Sequence, residues 1–269
     1  MKSGQKKEIL LERIAGLKSV LVAFSGGVDS TLLLKLSHDV LKDRVVAVTA
    51  TSALQPGHEK EAAIKLARDM GVRHICIDSR ALEKVPFVKN DAERCYHCKT
   101  YLFKNLLSMA VEMGLDHVAH GANVDDLKDY RPGFRAAEEA GVVAPLLDAG
   151  FGKQEIRRLS KALNLSTWNK PAMACLASRI PYGIPLMPEL LHQINAAEAV
   201  LHEQGFQSCR VRYHGTVARI EVPEQDIARF LEKTVRSSVV SQFKAIGFLH
   251  VAVDIEGYVQ GSMNRDLET

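Results

Sequence analysis

The segment Val20–Ser30 reads VLVAFSGGVDS and carries the strongest fold signal in this chain of 269 residues. An apolar run ends in two glycines, and Thr31–Leu36 then follows with the spacing of an amphipathic helix. At such a strand-to-helix turn the first backbone N–H groups of the helix point outward, and glycines lack the Cβ atoms that would keep a phosphate away. An ordinary capped turn is the alternative. Because the turn holds more polar groups than capping requires, we predict that it binds phosphate through Ser25, Gly26, Gly27, Asp29 and Ser30.

The same turn narrows the phosphate chemistry. It lacks the lysine of the G-x-x-x-x-G-K-[ST] loop, which would predict γ-phosphoryl transfer. SGGVDS instead resembles the SGGxDS signature of the ATP-pyrophosphatase (PP-loop) superfamily. That resemblance implies that ATP is cleaved between its α and β phosphates and that a carbonyl or carboxylate oxygen of a second substrate is adenylated.

Composition excludes several classes of protein. The 35 Lys and Arg residues nearly balance 32 Asp and Glu residues, so no basic tract predicts a nucleic-acid partner. No run approaches the ~18 apolar residues of a membrane span, and the N-terminus mixes charges with apolar residues, so we expect a cytoplasmic protein with no membrane partner. The five cysteines are an odd number, which favours thiols with individual roles over a disulfide framework.

Strands that alternate with helices predict an α/β fold with a parallel sheet and helices on both faces. Apolar runs at Arg44–Ala50, Arg73–Asp78 and His117–Gly121 read as strands after the first, and Val142–Leu147 reads as a fifth. Ligands of such sheets bind at the carboxyl ends of the strands. Thr49 lies there, so it either lines the nucleotide pocket or only closes its strand.

A change of composition divides the chain. We predict a PP-loop ATP-pyrophosphatase domain over residues 1–167, an irregular active-site segment over 168–187, and a small α+β C-terminal domain over 188–269. The irregular segment holds the only tryptophan, several prolines and Cys175. Long irregular segments are usually functional or disordered, and the apolar content of this one argues against disorder.

Two further motifs precede the irregular segment. Arg94–Lys99 reads RCYHCK, and its C-x-x-C has no second close Cys or His pair, so a structural zinc site is disfavoured. A redox pair remains open, as does a pair of reduced thiols beside Lys99 near an anionic ligand. After the fourth strand come Asp125, Asp126 and Asp129, which suit a magnesium-bound pyrophosphate or a cationic substrate group, or only cap turns of a solvated loop.

The motifs SGGVDS, RCYHCK, GANVDDLKDYRPG, KPAMACLASRIPYG and RVRYHG together resemble the LarE family over nearly the whole chain. The resemblance implies an ATP- and Mg²⁺-using sulfur transferase that helps to make the nickel-pincer nucleotide cofactor of lactate racemase. The implied substrate is pyridinium-3,5-biscarboxylic acid mononucleotide, a small-molecule nucleotide. It also implies a homo-oligomer that is functionally linked to the other proteins of this cofactor pathway.

The family's sacrificial cysteine matches Cys175. The resemblance implies that its thiolate attacks the acyl adenylate and then loses its sulfur, which leaves a thiocarboxylate on the substrate and dehydroalanine in the protein. A thiolate needs an electropositive setting, which Arg179 would supply, whereas a buried structural thiol is the alternative. Some relatives use an iron–sulfur cluster held by three cysteines instead. This chain has Cys175 and Cys209 in its second half, and a cluster would need Cys95 or Cys98 to converge with them.

Charged residues of the C-terminal domain complete the predicted site. Arg210 and Arg212 alternate along one strand and so share a face, where they either grip the phosphate of the mononucleotide or are solvated. Glu198 and Glu221 resemble acidic site residues of the family, with general-base or metal-binding roles, or lie exposed on the surface. The predicted substrate-binding residues are Arg179, Arg210, Arg212, Lys99 and Asp125, and the predicted acid–base or metal residues are Glu198, Glu221 and Asp126.

Other functions fit the phosphate turn alone. A different acceptor would make the chain an amide-forming ligase of the NAD-synthetase kind or a tRNA thiolase, although no RNA-binding motif supports the latter. A protein that only senses a nucleotide is a third reading. Asp29 and Cys175 argue against it, because binding without turnover needs no thiol nucleophile.

Overall fold

The computed structural model describes residues 3–52, 57–128, 132–171, 174–259 and 261–267. The chain forms two compact units. The first comprises Met1–Ala81 and Glu93–Met173, and the second comprises Leu82–Ala92 and Ala174–Thr269. The irregular segment predicted over 168–187 is therefore divided, with Lys170 in the first unit and Cys175 in the second.

The helices and strands follow one another in the order that the hydrophobic pattern predicts, with several short helical turns between them. The helices are α1 (Ser3–Gly16), α2 (Val28–Leu41), α3 (Gly57–Asp69), α4 (Val85–Val88), α5 (Arg94–Glu112), α6 (Pro132–Glu139), α7 (Pro145–Asp148), α8 (Lys153–Ala162), α9 (Pro188–Glu203), α10 (Glu224–Ile227) and α11 (Lys233–Ile246). The strands are β1 (Val20–Ala23), β2 (Val45–Thr51), β3 (Arg73–Asp78), β4 (His117–Ala119), β5 (Arg210–His214), β6 (Val217–Glu221) and β7 (His250–Val253).

The first unit contains a parallel sheet of four strands in the order β3-β2-β1-β4. Side chains of β1 alternate between its two faces. Val20 and Val22 pack in a core with α1, α2, α3 and α8, whereas Leu21 packs in a second core with α5 and α6. Helices therefore cover both faces of the sheet, which confirms the predicted fold class.

The predicted fifth strand at Val142–Leu147 is wrong. Only Val143 makes a bridge to β4, and Pro145 begins the short helix α7. Proline fits the first turn of a helix because a backbone N–H would have no intrahelical partner there. The apolar run therefore forms a short helix and not a strand.

The second unit is built on a sheet of three strands in the order β5-β6-β7, with β5 and β6 antiparallel and β6 and β7 parallel. Its core joins this sheet to α9 and α11 through Leu201, Phe206, Val211, Ile220 and Phe243. This arrangement confirms the predicted small α+β module.

Leu82–Ala92 belongs to the second unit, although the sequence gives no sign of it. Asn90 is fully buried at a φ of 57°, and its side-chain amide donates to the carbonyl oxygens of Pro181 and Ile184, each at 2.8 Å. The segment thereby fixes the chain that follows Cys175. Among the helices that the structure describes, none combines the length and apolar character needed to cross a membrane.

Candidate active site

The phosphate turn has an open start to its helix. Gly26 has a φ of +69°, and a Cβ added there would lie 3.3 Å from Ala63, so glycine fits both the conformation and the space. Gly27 is the N-cap of α2 and has no side chain to cap the helix, whereas its own N–H donates to the Ser25 hydroxyl at 3.3 Å. The hydroxyl oxygens of Ser25 and Ser30 lie 3.1 Å apart beside it. Backbone N–H groups at this helix start are not used by an N-cap side chain, and phosphate binding there stays a prediction.

The end of β4 packs closely on the phosphate turn. A Cβ added to Gly121 would lie 2.9 Å from the backbone N of Ser30 and 3.1 Å from the carbonyl carbon of Asp29. Only glycine allows this approach, because backbone atoms cannot move aside without moving the turn. Gly121 therefore brings the motif that follows it, including Asn123, up to Asp29.

Two partners that the sequence did not reveal hold the Asp29 carboxylate. Lys153, the first residue of α8, forms an ion pair with it, and the Asn123 side-chain amide donates to it at 3.4 Å. Asn123 is 1% exposed, so its position is set by packing. Asp29 is therefore held in place at the phosphate turn.

A second lysine contacts the turn itself. Lys170 Nζ donates to the carbonyl oxygen of Gly26 at 3.2 Å and to Glu59 Oε2 at 2.6 Å. Lys153 and Lys170 thus supply, from other parts of the chain, the cations that the SGGVDS motif lacks. No sequence signal distinguishes either lysine from the others of the chain, because both reach the turn from distant segments.

Asp125 and Asp126 make the hydrogen bonds of turn-capping residues. Asp125 Oδ2 accepts from the backbone N–H of Lys153 at 2.7 Å, and Asp126 Oδ2 accepts from that of Asn123 at 3.0 Å. Asp129, the third predicted carboxylate, lies outside the described residues. Within the described ranges, no three His, Cys, Asp or Glu side chains converge on a metal-binding position.

Thr49 closes its strand as well as lying at the ligand-binding edge. It is 3% exposed, and its hydroxyl donates to the carbonyl oxygen of Phe24 at 2.7 Å. The hydroxyl therefore accepts from His74 Nε2 at 2.8 Å, which makes the Nε2-protonated tautomer the one that fits. Burial lowers the pKa of His74 and so favours this neutral form.

Lys99 lies on the exposed side of α5, near the half-buried His120. Its Nζ is 5.6 Å from the ring centroid of Phe103, which also packs edge-on against His120 at 5.6 Å. Burial, and then the charge of Lys99, lower the pKa of His120 to about 4. Beside Lys99, burial raises the pKa of the Cys98 thiol, whereas Cys95 is exposed.

The neutral His120 gives the fold a pH dependence. Its pKa of about 4 lies below the ordinary 6.5, so the unfolded chain binds more protons as the pH falls through this window. We expect the free energy of unfolding to drop by about 2 kcal/mol between pH 7 and pH 5 from this group alone. Urea unfolding of wild type and His120→Gln at both pH values measures it. His192→Gln, an exposed histidine of α9, is the control, and an equal drop in His120→Gln would contradict the assignment.

In the second unit, Arg179 holds the backbone beside Cys175. Arg179 is fully buried and pairs with Glu198 through two hydrogen bonds of 2.9 and 3.1 Å. Its Nη1 donates to the carbonyl oxygens of Ala174 at 2.7 Å and Cys175 at 3.2 Å. Cys175 itself is exposed at the start of the short 3-10 helix Leu176–Arg179. The contacts of Arg179 therefore fix the cysteine loop, and direct contact with substrate remains a prediction.

Arg210 and Arg212 are buried, so the alternative of two solvated arginines is wrong. They are 6% and 4% exposed. Arg212 donates to Glu221 Oε2 at 2.7 Å and to the carbonyl oxygen of Ser178 at 2.8 Å. Arg210 donates to the carbonyl oxygen of Cys209 at 2.7 Å, and burial, followed by the charge of Arg179, lowers its pKa.

The buried charges of the second unit do not cancel. Three arginines and two glutamates, each at most 6% exposed, leave one positive charge in excess. Arg212 Nε is buried, and it has no hydrogen-bond partner among the described atoms. Moving guanidinium groups out of water is costly, and a bound anion would offset part of that cost. The five residues are Arg179, Glu198, Arg210, Arg212 and Glu221.

The two cysteines of the second unit differ in reactivity. Cys209 is 1% exposed, and burial raises the pKa of its thiol to about 12. Its Sγ lies 3.9 Å from His202 Nε2 and 4.0 Å from the carbonyl oxygen of Glu198, which accepts from the thiol. Because thiolate is the nucleophilic form, Cys209 is inert, and Cys175 is the candidate nucleophile in this unit.

Comparison with known proteins gives the family. The NAD synthase family model matches residues 7–96, which include the phosphate turn. An uncharacterised protein of Synechocystis is 39% identical over 97% of this chain and 98% of its own length. The pyridinium-3,5-bisthiocarboxylic acid mononucleotide synthase of Lactiplantibacillus plantarum is 38% identical over 97% of this chain and 95% of its own length. An argininosuccinate synthase of Nitrosospira multiformis is 32% identical over 49% of this chain and 36% of its own length. Because the similarity to the synthase extends over nearly the full length of both proteins, the chain belongs to the LarE family of the PP-loop superfamily.

Proposed function

We propose that this protein is an ATP-dependent sulfur transferase of nickel-pincer nucleotide biosynthesis. It converts a carboxylate of pyridinium-3,5-biscarboxylic acid mononucleotide to a thiocarboxylate, with Cys175 as the sulfur donor. The observation that carries the proposal is the 38% identity, over 97% of the chain, to the synthase from Lactiplantibacillus plantarum. The NAD synthase family model ends at residue 96, so its match supports the ATP chemistry and not an amide-forming acceptor.

The first step is activation of the carboxylate. The open start of α2, Gly26 and Gly27 fit the phosphates of ATP, and Lys153 and Lys170 supply positive charge. The substrate carboxylate attacks the α-phosphorus, and pyrophosphate leaves from the turn. Asp29 offers the carboxylate oxygens that Mg²⁺ prefers alongside phosphate, and Mg²⁺ bound there would neutralise charge on the pyrophosphate.

The second step moves sulfur. The Cys175 thiolate attacks the carbonyl carbon of the adenylate, AMP leaves, and a thioester joins substrate to protein. Breaking the Cβ–S bond then releases the thiocarboxylate and leaves dehydroalanine at position 175. The exposure of Cys175 and the burial of Cys209 support this choice of nucleophile.

The buried charges suit recognition of the substrate. Arg210 and Arg212 belong to a cluster with one excess positive charge, which favours the phosphate of the mononucleotide as its ligand. Glu198 and Glu221 each accept hydrogen bonds from arginines. These partners favour an anchoring role for both glutamates over proton transfer. A homo-oligomer and a link to the other proteins of the cofactor pathway complete the proposal.

The test is the intact mass of the protein after incubation with ATP, Mg²⁺ and the pyridinium dicarboxylate nucleotide. We expect loss of one hydrogen sulfide equivalent, mapped by peptide analysis to Cys175. Thiocarboxylate product with an unchanged protein mass would contradict the sacrificial mechanism. Iron and sulfide analysis of protein purified without oxygen would then test the cluster mechanism, in which cysteine thiolates hold the cluster.

A further inference from the structure

The loss of sulfur from Cys175 poses a chemical problem that the structure addresses. This inference rests on the proposed function, in which the thioester of Cys175 undergoes elimination. Breaking the Cβ–S bond requires removal of the proton on Cα. This C–H group is a weak acid, so the proton is hard to remove. The negative charge that develops on Cα is shared with the adjacent carbonyl group, so it appears on the carbonyl oxygen of Cys175. Hydrogen-bond donors fixed at that oxygen would lower the barrier.

The carbonyl oxygen of Cys175 has three such donors. The backbone N–H of Ser178 donates at 2.9 Å, its hydroxyl at 2.8 Å, and Arg179 Nη1 at 3.2 Å. The backbone contact alone would complete the 3-10 turn. The hydroxyl and the guanidinium exceed what the turn needs, and the guanidinium adds a full positive charge.

These donors are held rigidly. Glu198 Oε1 accepts from Arg179 Nε at 2.9 Å and from the backbone N–H of Val211 at 3.0 Å, which ties the guanidinium to β5. Arg212 Nη1 donates to the carbonyl oxygen of Ser178 at 2.8 Å and fixes the turn from its other side. Donors that are already in position need no reorganisation when charge develops, which is the condition for strong electrostatic stabilisation.

We propose that Ser178 and Arg179 form an oxyanion hole for the enolate of Cys175 during elimination. The Cα proton leaves to water, which reaches this exposed residue, and the electron pair of the C–H bond moves onto the carbonyl oxygen of Cys175. The pair then returns to form the Cα=Cβ double bond as the Cβ–S bond breaks. The sulfur keeps the electrons of that bond and departs as the thiocarboxylate, so no external oxidant or reductant is needed.

Ser178→Ala tests the proposal because it removes one donor and keeps the backbone turn. In a single turnover with ATP, Mg²⁺ and the pyridinium dicarboxylate nucleotide, we expect pyrophosphate release and thioester formation at wild-type rates. Dehydroalanine formation should slow by roughly 100- to 1,000-fold, as for the loss of one donor from other oxyanion holes. Intact mass spectrometry should then show a protein–substrate adduct that accumulates and decays slowly.

Three further proteins sharpen the test. Ser178→Thr keeps the hydroxyl and should restore elimination, and Ser108→Ala removes a hydroxyl that donates to the carbonyl oxygen of Lys104 on α5 and should behave as wild type. Ser178→Ala protein labelled with deuterium on the Cα of cysteine should show a primary isotope effect on the decay of the adduct. If Ser178→Ala acted instead by moving the Cys175 thiol away from the adenylate, formation of the adduct would be slow.

The outcomes separate the two proposals. An accumulating adduct with the isotope effect supports the oxyanion hole. Dehydroalanine formation at the wild-type rate in Ser178→Ala, or slow formation of the adduct, overturns the oxyanion hole and leaves the sulfur-transferase proposal standing. Absence of dehydroalanine from wild-type protein that makes product overturns both.

Discussion

Cys175→Ala is expected to abolish thiocarboxylate formation while pyrophosphate release continues close to the wild-type rate. The variant lacks the thiol that attacks the adenylate in the proposed mechanism. The adenylate can then react only with water, which returns the carboxylate. The phosphate turn lies in the first unit, and the substitution removes only one exposed sulfur from the second. Pyrophosphate assay and product analysis on the same sample measure both steps.

Cys209→Ala is the matched control for this prediction. It removes the other cysteine of the second unit, whose thiol pKa is raised to about 12 by burial and which therefore supplies no thiolate near neutral pH. Sulfur transfer should persist in this variant. If Cys175→Ala also stopped pyrophosphate release, Cys175 would be needed for activation or folding, and its assignment as the sulfur donor would fail.

The phosphate turn could be predicted from sequence because its signal is local. Strand, glycines and helix follow one another within Val20–Ser30, and the periodicity of neighbouring segments then gave the parallel sheet. The lysines that complete the site could not be found this way. Lys153 and Lys170 reach the turn from 124 and 144 residues along the chain, and many lysines share their sequence character.

The charged residues of the second unit show a different limit. Alternation along β5 correctly gave Arg210 and Arg212 a shared face, but periodicity does not tell whether a face is buried when its residues are charged. The pairing of Arg179 with Glu198 joins a loop to a helix and depends on packing that only the fold reveals. The sequence left open whether Asp125 binds a ligand or caps a turn. The hydrogen bond that Asp125 accepts comes from the backbone N–H of Lys153 on α8, which is distant in sequence.

Asp29→Ala should reduce pyrophosphate release by ~100-fold or more, a loss comparable with removal of a key group that stabilises charge in other active sites. Asp29 lies within the first turn of α2, where it is held by Lys153 and Asn123. Without the carboxylate, Lys153 loses its ion-pair partner, and the turn loses the carboxylate oxygens that are proposed above to bind Mg²⁺. Because sulfur transfer follows adenylation, thiocarboxylate formation should fall by the same factor.

Asp39→Ala provides the comparison on the same helix. Asp39 also pairs with a lysine, Lys35 at 2.5 Å, but on the exposed side of α2, where ion pairs contribute little. Both variants lose one carboxylate from one helix. Asp29 lies in the first turn of α2 and has a half-buried ion pair, so its removal should lower the unfolding temperature more than Asp39→Ala does. Rates measured well below both unfolding temperatures therefore report the site and not the stability. Pyrophosphate release that survives in Asp29→Ala but not in Lys153→Met would transfer the essential role from the carboxylate to the lysine and refute the part assigned to Asp29.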